Sequence, residues 1–100
     1  MVEFNRNVKQ TIGTIPSVVS VERNSFAPRK SIILTNTSIG GQVITLGIDD
    51  EAANGEGIVL YAGGNWQDST ESGYKPTQKQ ITAISSAADG VLSIQERMGD

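Results

Sequence analysis

The sequence predicts an all-β fold, a small antiparallel β-sandwich or barrel of jelly-roll type with an extended N-terminal arm. Two observations carry this. From Lys30 onward, short runs rich in Ile, Val, Leu and Thr recur roughly every 12 residues, with glycine-bearing polar turns between them. Helix signals are scarce, and 100 residues suffice for one hydrophobic core.

In chain order, Met1 to Pro16 reads as an extended arm. Val8, Ile12 and Ile15 have the spacing of a helical face, but Thr11, Gly13, Thr14 and Pro16 oppose a helix of any length. Val18 to Val21 is a strand followed by a polar turn and Pro28. Ile32 to Thr35 is a β-branched run closed by Asn36-Thr37-Ser38. Val43 to Ile48 alternates, with Ile44, Leu46 and Ile48 on one face. A glycine-bearing acidic loop leads to the strand Ile58 to Tyr61, which Gly63-Gly64 ends. Residues 65–77 are polar apart from Trp66 and Tyr74. Gln80 to Ser85 and Val91 to Gln95 are the last two strands, with Asp89-Gly90 as a hairpin turn between them. Ile81, Thr82 and Ile84 favour strand over helix for the first of these. The division this implies is an arm over residues 1–28 and a β body over residues 29–100.

Composition removes much chemistry. Without histidine or cysteine, the chain lacks Ser-His-Asp and Cys-His nucleophile pairs, histidine acid–base catalysis, the usual zinc ligands and disulfides. No glycine segment fits a phosphate loop or a dinucleotide fingerprint. No serine or lysine has a neighbour that would activate it. No enzyme activity and no cofactor are expected. No run of apolar residues is long enough to span a membrane, and Glu3, Asn5 and Arg6 stand where a signal peptide needs an apolar stretch. The expectation is a soluble chain made in a cytoplasm.

The formal charge of −3 is unevenly spread. Residues 1–30 hold five cations against Glu3 and Glu22, a balance of +3, and residues 31–100 hold three cations against nine acids, a balance of −6. A basic arm this dilute is too weak for strong nucleic-acid binding and suits an acidic protein neighbour. Asp49, Asp50, Glu51 and Glu56 crowd one loop. Their spacing is not that of an EF-hand, and a solvated acidic loop is the plainer account of them than a metal site. Trp66 and Tyr74 are a candidate aromatic platform for a sugar, against the plainer account of core or interface anchors.

Taken together, Arg29-Lys30-Ser31-Ile32-Ile33-Leu34-Thr35-Asn36-Thr37-Ser38, Gly57-Ile58-Val59-Leu60-Tyr61-Ala62-Gly63-Gly64, Gln80 to Ser85 and Gly90 to Glu96 resemble short bacteriophage virion proteins built as small β-sandwiches. Ala62 departs from that pattern, which often has proline there. The resemblance spans residues 29–97 and implies a capsid decoration (cement) or minor capsid role in a virion head. The partner would be the major capsid protein, and assembly as a trimer or higher ring follows from the resemblance. On this reading Val2, Phe4, Val8, Ile12 and Ile15 of the arm are apolar anchors on a neighbouring subunit, and Arg6 and Lys9 meet acidic capsid groups. Two alternatives stand beside it. One is a carbohydrate- or receptor-binding β module using Trp66 and Tyr74. The other is a metal-stabilised domain using Asp49, Asp50, Glu51 and Glu56.

Overall fold

The structure, a computed structural model, describes residues 3–24, 26–69 and 76–99. Eight strands form: β1 (Glu3–Ile12), β2 (Ser17–Ser20), β3 (Arg29–Asn36), β4 (Ile44–Ile48), β5 (Ile58–Leu60), β6 (Asn65–Ser69), β7 (Ile81–Ser85) and β8 (Gly90–Gly99). They make two four-stranded antiparallel sheets with orders β1-β8-β3-β6 and β2-β7-β4-β5. This is the double-sheet arrangement of a jelly roll. The inner faces meet on Ile12, Val19, Ile32, Leu34, Ile44, Leu46, Leu60, Ile81, Ala83, Leu92 and Ile94, all buried. Alternate positions along β3, β4 and β8 supply this layer, as the two-residue period of a strand requires.

Three features differ from the sequence-based expectation. Residues 3–12 are not an arm beside the body. They pair with β8 over ten residues, from Glu3 opposite Gly99 to Ile12 opposite Gly90, and Ile12 is fully buried in the core. Residues 17–20 lie in the other sheet, so no boundary at residue 28 separates these strands from the rest. The physical reason is edge pairing: without β1, the ten-residue strand β8 would present an uncovered row of amides and carbonyls. The second difference is at Asp89-Gly90, which does not close a hairpin. β7 is already flanked by β2 and β4, so the chain must cross to the other sheet to pair again. Asp89 takes a positive φ of 64° there. Gly90 is packed so closely that a Cβ would stand 2.6 Å from Ser85 Oγ.

β6 is a strand that the polar stretch 65–77 concealed. Trp66 lies opposite Leu34 on β3 and packs against the core. The two sheets are also tied by polar bonds. Asn36 is fully buried; its Nδ2 donates to the carbonyls of Gln42 and Leu60, each at 2.8 Å, and its Oδ1 accepts from the Ser38 amide. All of its amide hydrogens and its carbonyl are therefore engaged.

Candidate functional site

The most elaborate side-chain arrangement lies between the sheets, around Glu96 of β8. Leu92, Ile94, Glu96 and Met98 all point inward, so the alternation of β8 itself delivers a carboxylate to the interior. Arg29 reaches it by a different device. The β3–β8 register slips between Arg29 and Ser31, and this bulge turns Arg29 inward, where strict alternation with Ile32 and Leu34 would place Lys30.

Arg29 Nε donates to Glu96 Oε2 at 2.8 Å, both side chains being fully buried. The rest of its guanidinium donates to the carbonyls of Thr77, Lys79 and Val21 and to Ser20 Oγ. Its five N–H groups thus meet five acceptors. Glu96 also accepts from Ser20 Oγ at 2.8 Å and from Arg23 Nε at 3.1 Å on Oε2, and from Arg6 Nη1 at 2.7 Å and Arg23 Nη2 at 2.9 Å on Oε1. Burial alone would raise the Glu96 pKa. The hydrogen bonds from Arg23, Arg29 and Ser20, with the charge of Arg23, outweigh it and hold the carboxyl at about 2 against a usual 4.5. The carboxylate is an anion with three guanidiniums around it.

This cluster opens onto one flank of the sandwich. β1 and β2 are the edge strands there, one from each sheet. Arg6 Nη2 donates to the Val19 carbonyl at 2.8 Å and Gln10 Nε2 to the Val18 carbonyl at 3.1 Å, so side chains of β1 bridge the seam. A cleft of about 250 Å³ remains, lined by Arg6, Val18, Val19, Val21 and Arg23. Phe4 and Val8 share the inward face of β1 with Arg6 and Ile12, yet both stay exposed, at 53% and 44%. The reason is length: β2 has four residues and cannot cover ten. Val18 and Val21 are exposed on the facing edge.

The opposite flank has β5 and β6 as its edges, and the acidic loop that joins β4 to β5 folds back over the outer face of its sheet as far as Thr82 of β7. Ala52 N donates to Thr82 Oγ1 at 2.9 Å, Thr82 Oγ1 to the Asp50 carbonyl at 2.7 Å, and Gly55 N to Thr45 Oγ1 at 3.1 Å. Gly57 lets the return leg pass: its φ is 119° and a Cβ would stand 2.7 Å from the Leu46 carbonyl oxygen. Leu46, Ile48, Asp50, Glu51, Glu56 and Ile58 help to line a hollow of about 350 Å³. Among the described residues, no three acidic side chains are grouped to hold a metal ion. Asp49, Asp50, Glu51 and Glu56 all face solvent.

The other residues singled out from sequence are scattered. Of the arm anchors, Ile12 is core, Phe4 and Val8 line the open seam, and Ile15 is exposed between β1 and β2. Val2 lies outside the described residues. Arg6 does meet an acidic group, that of Glu96 in its own chain, while Lys9 is exposed. Trp66 packs against the core, and Tyr74, its proposed companion in a sugar platform, lies outside the described residues. The Glu96 cluster escaped sequence reading. Its signal was the excess of cations in residues 1–30, since Arg6, Arg23 and Arg29 all converge on it.

No protein family and no curated protein matches the chain. Among solved structures, it is similar to a chain described under the words "Bacillus endospore appendages form a novel family of disulfide-linked pili". The match has a TM-score of 0.60 and covers 98% of this chain and 86% of that one, at 14% identity. The two chains share a fold. At this identity the likeness is one of architecture, and it extends through β1 and β2 as well as the strands that follow.

Proposed function

We propose that the chain is a non-catalytic structural subunit that works by packing against copies of itself in an extended assembly. The observation that carries this is the flank formed by β1 and β2. A ten-residue edge strand without proline lies there with its amides and carbonyls unpaired along one side, and Phe4, Val8, Val18 and Val21 are exposed beside it. Monomeric sandwiches usually shorten or cover such an edge; this one carries only the exposed charge of Lys9 among its described outward side chains, and the apolar strip beside it marks an interaction surface. The shared fold with a pilus-forming appendage chain supports the same reading. That neighbour's pili are described as disulfide-linked. These 100 residues contain no cysteine, so contacts made through them are not disulfide-linked.

Light scattering of the purified protein over a concentration series, followed by electron microscopy, tests the proposal. Mass that rises with concentration and regular particles under the microscope support it. A monomer at every concentration overturns it.

A second reading keeps the virion role, with the major capsid protein as partner. It rests on the likeness of residues 29–97 to short bacteriophage virion proteins, whose quoted segments fall on β3, β5, β7 and β8. Saturable binding to undecorated phage heads at a fixed ratio would favour it over self-assembly.

A further inference from the structure

We infer that the cleft between β1 and β2, lined by Arg6, Val18, Val19, Val21 and Arg23, receives the acidic loop of residues 49–57 from a second copy of the chain, an inference that rests on the structural-subunit reading above. The cleft supplies the charge. Three guanidiniums surround the single carboxylate of Glu96, which leaves two positive charges uncompensated within the cluster. Arg29 is sealed inside, but the side chains of Arg6 and Arg23 keep 31% and 18% of their surface open. Exposed Val18 and Val21 add apolar walls. A site of this composition fits a carboxylate carried on a short segment with aliphatic neighbours.

The loop has that composition. Asp50, Glu51 and Glu56 line its hollow beside Ile48 and Ile58. The two features also stand at one height but face different ways: the loop lies over the outer face of the β2-β7-β4-β5 sheet, bonded to Thr82 of β7, and the cleft opens at the β2 edge of that sheet. Ser20, Ile81 and Ile48 form a single row across the sheet. The Arg23 amide donates to the Gln78 carbonyl and the Asp49 amide to the Gln80 carbonyl, both at 2.8 Å, on the segment just before β7. A second copy that sets its outer sheet face against the β1–β2 edge of the first brings its loop to that cleft and leaves its own cleft open. Such a contact is heterologous and repeats from copy to copy. A symmetric pairing of cleft with cleft would instead set like charges together.

The test uses two variants of exposed residues. The double substitution E51R/E56R reverses the loop, and V21D places a carboxylate at the mouth of the cleft, where it occupies the arginines. Circular dichroism and melting confirm that both remain folded. Wild-type protein is expected to grow beyond the dimer with rising concentration in light scattering, and each variant alone to remain a monomer. A one-to-one mixture of the two is expected to stop at the dimer, because it retains one intact loop and one intact cleft. Raising salt from about 50 to about 500 mM should weaken wild-type association by about tenfold or more. If both folded variants assemble like the wild type, the copies meet through another surface, and this inference falls while the subunit reading stands. A mixture that yields no dimer also overturns the inference. A wild-type protein that never associates overturns both.

Discussion

Arg29 and Glu96 meet between the two sheets with both side chains at zero exposure and 2.8 Å between Nε and Oε2. A bulge in β3 and the plain alternation of β8 bring them together. The pair lies where the turn after β2, the segment before β7 and the far end of β1 converge. Its loss would loosen these three parts of the fold together.

Unfolding in urea should therefore rank the cluster's members by burial. Replacing Glu96 by Gln removes the carboxylate that three cations share and is expected to cost about 3–5 kcal/mol. Arg29→Met should cost about as much, since it strands the Thr77, Lys79 and Val21 carbonyls and takes one donor from Glu96. Arg6→Met should cost about 1 kcal/mol or less, because Arg6 is partly exposed and Arg23 bonds the same carboxylate oxygen. Equal losses for Arg6 and Arg29 would contradict this ordering.

The same carboxylate sets an acid limit. Its folded pKa of about 2 lies below the usual 4.5, so the unfolded chain takes up the proton more readily. The stability this supplies is fully present above about pH 4.5 and is lost as pH falls toward 2, to a total on the order of 3 kcal/mol. Urea midpoints measured at intervals from about pH 6 to about pH 2 should show the decline. The Glu96→Gln variant should show a shallower one. An unchanged slope in that variant would place the acid sensitivity elsewhere.

β3, β4, β5 and β7 were legible in sequence because their apolar residues alternate or run together between glycine turns. β1 was not. Its inward positions are Phe4, Arg6, Val8, Gln10 and Ile12, and two polar residues break the apolar period. Both find partners only across the fold, Arg6 on Glu96 and Val19 and Gln10 on Val18, and no local pattern announces such partners. β6 escaped for a similar reason, with Trp66 its one large apolar residue and Asp68 accepting from the Thr77 amide. The charge asymmetry was legible, but its reading as an arm reaching for an acidic neighbour was not the outcome for Arg6. Three of the five cations in residues 1–30 serve one internal carboxylate.

Deleting residues 2–16 follows directly from this. As an arm it would be dispensable to the body. As β1 it covers the whole of β8 and seats Ile12 in the core. The truncated chain should lose its cooperative melting transition and aggregate, because β8 becomes an uncovered edge. Ile12→Ala alone should cost about 2–5 kcal/mol. A truncated protein that melts like the full chain would restore the arm.

Trp66 gives the last test. It is half-buried on β6, opposite Leu34, and packs against the core. A sugar platform needs an aromatic face turned to solvent, whereas this ring contributes to the closure of the sandwich. Its fluorescence should be blue-shifted in the native protein, move to the red on unfolding, and stay unchanged across a glycan series. Trp66→Ala should lower the melting temperature, since a large aromatic contact with the core is lost. A saturable glycan-induced shift would instead assign the ring to a binding face and favour the carbohydrate-binding module over the structural subunit.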